Sequence, residues 1–310
     1  MKKVFIAFLL LVACLMLAIR WGAVNYWLTS ANFEVSTDHQ WHSFVWDSDS
    51  SKAVLFIPVR LNHCPRPLLM QLDLGSAKSF LYGKTVEGFN VEYPQKSIAI
   101  KDNKAVASLQ IDSLQLHPKK DIVVMPEAGN NYLQQPDTID PKIVVGTLGF
   151  DAIVGQTIII DYPNKKFMLT NRLPDKVVPI AAQCQRFPIL LAGKIEGHSQ
   201  NIWFDTGSSA FALLTTQYLF NKIAPHSAVD TSCCVQAWGK QYAVWQKTMP
   251  QALQIGDKSY ANVAVSTTER YDFREYLKFQ LIGADAITGN YFFLPNTIGI
   301  DTRRNKFAIW

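Results

Sequence analysis

Two segments of this 310-residue chain set a carboxylate in the same surroundings: Leu69-Met70-Gln71-Leu72-Asp73-Leu74-Gly75-Ser76 and Asn201-Ile202-Trp203-Phe204-Asp205-Thr206-Gly207-Ser208. Each is an apolar run, suited to a buried strand, that ends in Asp-x-Gly-Ser. The strand carries the Asp inward, the glycine lets the chain turn with no Cβ in the way, and the serine can donate a hydrogen bond to the carboxylate. One such site reads as a turn cap. Two of them, in equivalent places of a duplicated unit, read as a single site, because a pseudo-two-fold axis sets equivalent positions face to face. Asp73 and Asp205 are then expected to share one proton. One carboxylate of such a pair can draw a proton from water while the other protonates or polarises a carbonyl oxygen, with no covalent intermediate.

Further landmarks recur in one order, which is the mark of duplication. Phe56-Ile57-Pro58-Val59 precedes the first motif and Phe187-Pro188-Ile189-Leu190 the second. Leu109-Gln110-Ile111-Asp112 parallels Leu253-Gln254-Ile255-Gly256. The segment 149–155 matches 283–289 at five of seven positions. Ile158-Ile159-Ile160-Asp161, followed by Lys166-Phe167, returns as Ile298-Gly299-Ile300-Asp301, followed by Lys306-Phe307. Asp151, Asp285, Asp161 and Asp301 belong to these repeats and read as structural turn residues.

The elements that must position the carboxylates are strands. Short β-branched or alternating runs, including 53–61, 97–100, 108–116, 122–125, 157–160 and 261–267, predict an all-β chain. Only 215–222 and 274–279 read as helices. The expected organisation is a spacer and first strand over 29–50, one lobe over 51–175 and a second over 176–310, joined through the Pro174-Asp175-Lys176 stretch.

Lys and Arg number 30 against 25 Asp and Glu, a formal charge of +5. Residues 1–30 contribute Lys2, Lys3 and Arg20 and no acid, leaving 27 − 25 = +2 for the rest. No later basic block is present, which argues against a nucleic-acid partner. Met1-Lys2-Lys3 before the apolar run Val4–Ile19 is the pattern of an export signal, with the downstream chain on the periplasmic or extracellular side. Residues 1–28 are read as a signal anchor in the inner membrane. Leu11-Val12-Ala13-Cys14 also has the form of a lipobox, so anchoring, lipidation at Cys14 and simple cleavage stay open. The remaining cysteines, Cys64, Cys184, Cys233 and Cys234, show no readable pairing. No Cys/His spacing suited to a metal appears, and no cofactor is expected.

The paired motifs resemble those of the pepsin/retropepsin group of aspartic proteases. The second half matches hydrophobic-Asp-[Thr/Ser]-Gly-[Ser/Ala] in full, and the first departs at one position, Leu74. Thr147-Leu148-Gly149 and Leu281-Ile282-Gly283 resemble the group's later hydrophobic-hydrophobic-Gly element, and 281–310 is similar to the close of pepsin-like chains. The resemblance implies a bilobal all-β fold with a peptide cleft between the lobes, Asp73 and Asp205 as the catalytic dyad, and Gly75, Ser76, Thr206, Gly207 and Ser208 as its support. It implies endopeptidase activity on a peptide or protein substrate, without a requirement for oligomers. A flap hairpin is expected at Val235–Gln241, with Trp238 and Gly239 at the cleft, and its first-half equivalent around Lys101-Asp102-Asn103-Lys104. In the group a Thr or Ser follows each Asp and braces it across the axis. Leu74 has no hydroxyl, so the alternative is an inactive envelope protein that binds a peptide or ligand in the same cleft.

Overall fold

The computed structural model describes residues 30–36, 38–134, 142–224, 230–237, 240–268 and 273–310. The expected anchor with Cys14, and the expected flap residues Trp238 and Gly239, lie outside them. Among the described residues no helix is long and apolar enough to cross a membrane.

The chain is mostly β and forms two curled β lobes. Among the described residues, the strands after β1 (Phe33–Val35) fall into two runs of thirteen. The first contains β2 (His42–Ser43), β3 (Val45–Trp46), β4 (Leu55–Leu61), β5 (Leu68–Leu72), β6 (Phe80–Tyr82), β7 (Ile100–Lys101) and β8 (Lys104–Ala105). It continues through β9 (Leu109–Ile111), β10 (Leu114–Pro118), β11 (Ile122–Met125), β12 (Val144–Leu148), β13 (Thr157–Asp161) and β14 (Lys166–Thr170). The second contains β15 (Pro179–Ile180), β16 (Ala182–Gln183), β17 (Leu190–Ile195), β18 (His198–Phe204), β19 (Leu213–Thr215), β20 (Asp230–Ala237) and β21 (Lys240–Thr248). It closes with β22 (Leu253–Ile255), β23 (Lys258–Tyr260), β24 (Ala264–Thr268), β25 (Ala286–Thr288), β26 (Thr297–Asp301) and β27 (Lys306–Ile309).

The two runs pair identically. The first lobe has the order β10-β9-β4-β5-β12-β6-β11-β8-β7 and the second β23-β22-β17-β18-β25-β19-β24-β21-β20. In both, the strand that leads to an Asp lies parallel to the strand that leads to a glycine: β5 beside β12, and β18 beside β25. A third sheet, β15-β27-β26-β13-β14-β2, is shared by the lobes. Its central register sets Ile159 opposite Gly299, Thr157 opposite Asp301 and Asp161 opposite Thr297, which is symmetric about the first pair. The pseudo-two-fold axis therefore passes between Ile159 and Gly299.

Burial explains the sequence patterns. β5 alternates between buried and half-buried residues, as a strand with one face in the core should. In β13, Thr157–Ile160 are all buried, because the shared sheet is covered on both faces. Leu173, in the connection between the lobes, lies directly on Gly299.

Three expectations need revision. The segment read as a spacer with one strand supplies three strands, with β1 paired to β10, β2 to β14 and β3 to β4. A helix, α1 (Gly83–Glu92), follows β6 where none was expected, alongside α2 (Gln217–Ile223) and α3 (Phe273–Ile282), which were. The third revision concerns the repeat itself. Leu148 pairs with Leu72 and Thr288 with Phe204, so Gly149 corresponds to Gly289 and not to Gly283. Gly283 instead ends α3 at φ +72°, the left-handed conformation that favours glycine after a helix. The seven-residue match between 149–155 and 283–289 is thus out of step by six positions. The second hydrophobic-hydrophobic-Gly element is Ile287-Thr288-Gly289, and Asp151 and Asp285 are not equivalent.

Candidate active site

β5 and β18 each end in the core, and the next residue is Asp73 or Asp205. The amide of each Asp is held by the neighbouring parallel strand: Asp73 N–H donates to Leu148 C=O (2.9 Å) and Asp205 N–H to Thr288 C=O (2.9 Å). Each chain then turns back on itself. Gly75 N–H donates to Asp73 Oδ1 (3.0 Å) and Gly207 N–H to Asp205 Oδ1 (2.8 Å).

The turns meet across the axis. A Cβ placed on Gly75 would lie 2.0 Å from Asp205 Cγ, and one on Gly207 would lie 2.6 Å from Asp73 Cγ. Each glycine is therefore the surface on which the opposite carboxyl rests, and no other residue fits there. The pair is enclosed by protein yet keeps a half-buried surface that solvent reaches.

Two carboxyls so close cannot both ionise cheaply. Burial, first, and then the Asp73 charge beside it push Asp205 well above the usual carboxylate range. One proton lies between the two carboxyls, which hydrogen-bond to each other. Burial also raises Asp73, opposed by that bond and by the Gly75 and Ser76 amides. The two titrate as a unit that holds one proton between them.

Thr206 crosses the axis. Its Oγ1 accepts from Leu74 N–H (2.8 Å) and donates to Leu72 C=O (2.8 Å), so it ties the first motif on both sides of Asp73. Leu74 cannot return these bonds; its side chain is fully buried in the core. The brace runs one way. Ser76 also departs from expectation. Ser76 Oγ donates to Lys78 C=O (2.7 Å), so its hydroxyl is spent on its own loop and only its amide serves Asp73. Ser208 N–H donates to Asp205 C=O (3.0 Å), a turn bond that shapes the loop.

Several residues with no motif signal complete the surroundings. Tyr82 Oη lies 3.0 Å from Thr147 Oγ1, and burial and the Asp73 charge raise its phenol. In the second lobe, Ser209 Oγ donates to Thr206 C=O (3.0 Å) and accepts from both the amide and Nδ2 of Asn290 (2.9 and 2.6 Å). Tyr162 Oη then donates to Asn290 Oδ1 (2.5 Å). In the first lobe, different positions, Ser79 and Asp151, fasten the loop. These partners lie 4 to 85 residues from the Asp of the motif they support, and only the strand pairing brings them together.

The hairpins differ sharply. β7 and β8 have two residues each, whereas β20 and β21 have eight and nine. Trp238 and Gly239 sit between the latter two strands, outside the described residues. Cys64 and Cys184 are buried free thiols, not a pair. A cavity of about 370 Å³ beside α2, lined by His198, Thr216, Tyr218, Lys222 and Asp285 among others, does not include the dyad. No group of side chains suited to a metal ion occurs among the described residues. Comparison by sequence found no matching family model and no matching curated protein.

Proposed function

We propose that this chain is an aspartic endopeptidase with a bilobal pepsin-like fold, in which Asp73 and Asp205 hydrolyse a peptide bond through a water held between them. One observation carries the reading: each carboxyl rests on the glycine of the opposite motif, so the two acids form one site reached by solvent. In this mechanism Asp73 is the charged member and takes a proton from the water as the water oxygen attacks the peptide carbonyl carbon. Asp205 gives its proton to the carbonyl oxygen, and a tetrahedral diol forms. Collapse of the diol breaks the C–N bond, with Asp73 returning its proton to the leaving nitrogen and Asp205 recovering one from a diol hydroxyl. Thr206 holds the first motif in register meanwhile. A substrate lying between the lobes would bond through its main chain as an added strand. The apolar segment 1–28 holds the protein at the membrane, with the lobes in the periplasm or outside.

The test is incubation of the full chain in detergent with a diverse peptide mixture from about pH 3 to about pH 7, a span that covers the carboxylate range and beyond. Cleavage is expected on the acidic side. Asp73→Asn or Asp205→Asn should each reduce it by about 10³-fold or more, since either removes a proton-transfer group. Activity surviving in either variant would falsify the dyad assignment.

The one-way brace favours a second reading, a peptide-binding envelope protein without catalysis. Under that reading the wild type binds peptides in the cleft and cleaves none at any pH.

A further inference from the structure

We propose that Asp151 is a positioning residue for Asp73, holding through Ser79 the loop that carries this acid; this rests on the aspartic-protease reading. The loop from Asp73 to Ser79 is tied at three points to one short turn, residues 148–151. Asp73 N–H donates to Leu148 C=O (2.9 Å), and Phe150 N–H donates to Ser76 C=O (2.8 Å). At the third point Asp151 Oδ1 accepts both the amide and the hydroxyl of Ser79 (2.9 and 2.6 Å), while Ser79 Oγ accepts from Gly149 N–H (2.9 Å). Ser79 and Asp151 are 2% and 3% exposed.

The second lobe does the same work with neutral groups. There Ser209, Asn290 and Tyr162 fasten the loop, and Thr206 adds the bonds across the axis. Tyr291, which corresponds to Asp151 once Gly149 and Gly289 are matched, is 54% exposed. Asp285 serves elsewhere, its Oδ2 accepting from Asn201 N–H (2.8 Å). A buried carboxylate fastening thus occurs in the lobe whose motif has no hydroxyl directly after its Asp. Two donors from one serine on one oxygen lock its rotamer. The N-terminal arm joins the same turn, with Asn32 N–H donating to Asp151 C=O (3.2 Å).

The experiment compares the full chain with Asp151→Ala, Asp151→Asn and Ser79→Ala, using turnover and a carboxyl NMR titration of the dyad. Asp151→Ala should lower kcat by about 10- to 100-fold and shift the Asp73 titration, with KM changed less than about twofold. Asp151→Asn keeps an oxygen acceptor for both donors and should stay near wild type in both readouts. Ser79→Ala should resemble Asp151→Ala, and it supplies the result if the latter fails to fold. An unchanged titration and kcat in folded Asp151→Ala, or equal damage from Asp151→Asn, overturns the proposal. A wild type that cleaves nothing would count against the proposed activity, while the titration would still decide the role of Asp151.

Discussion

The two lobes repeat thirteen strands in the same pairing order, yet their motifs are supported differently. Across the axis, Thr206 grips both sides of Asp73, and Leu74 gives nothing back. Within the lobes, a buried carboxylate fastens the first loop and a serine-asparagine-tyrosine chain the second. What stays the same is whatever the axis itself demands: an acid, and a glycine for the opposite acid to rest on. What differs is support that can come from more than one direction. Duplication constrains the contacts made at the axis far more tightly than those that hold each half in place.

The sharpest way to break this comparison is at the shared contact. Gly75→Ala and Gly207→Ala each drive a methyl into the opposite carboxyl, and overpacking of this kind costs about 1–3 kcal/mol. Turnover should fall by about 10²-fold or more, since displacement by about 1 Å is enough. Gly75→Ala should be the worse of the two, at 2.0 Å against 2.6 Å. Kinetics and thermal melts of both variants check this, and equal tolerance would mean the carboxyls do not pack as described.

The one-way brace is tested by Thr206→Val. Loss of the hydroxyl leaves Leu74 N–H and Leu72 C=O unsatisfied, a cost of about 1–3 kcal/mol in a denaturant titration. Turnover should fall with little change in KM.

The dyad also shapes stability against pH. Both carboxyls are raised in the folded state by burial and, for Asp205, by the charge of its neighbour. A raised group binds its proton more tightly folded than unfolded, so its contribution is complete below the unfolded value near 3.8 and fades as pH rises through the folded one. The melting temperature should therefore drop between mildly acidic and neutral solution, and Asp205→Asn should flatten the drop. A profile that rises over this interval with Asp205 intact would contradict the assignment.

The smallest effect is expected at Leu74. Leu74→Thr restores a hydroxyl to the first motif and should raise turnover, at a stability cost of about 1–3 kcal/mol for lost apolar packing. An inert variant would favour the binding-only reading.

Much of this was legible in the chain. The two Asp-x-Gly-Ser segments, the all-β pattern and the division into halves follow from residue type and period, because strands with one buried face alternate and a buried shared strand does not. Helix α1 was not legible. Gly83, Gly88, Val86 and Asn90 are poor helix formers, and no side chain caps its start. Burial of Val86 and Phe89 in the lobe overrides that weak local preference. The misplaced repeat at Gly283 has a similar cause: five of seven neighbouring letters matched, but strand register, and a helix that ends on that glycine, put Gly289 in the equivalent place.

Amino-acid order alone therefore determined which groups could react, that there are two of them, and that the first motif lacks a hydroxyl. Only the tertiary structure decided which glycine answers to which, that Thr206 reaches over the axis to Leu72 and Leu74, and that Ser76 turns to Lys78 while Ser79 turns to Asp151. The reason is physical. Strand periodicity and turn chemistry are local and leave their mark in a few residues, whereas a hydrogen bond between residues 72 and 206 depends on how two sheets register, which no short stretch of sequence encodes.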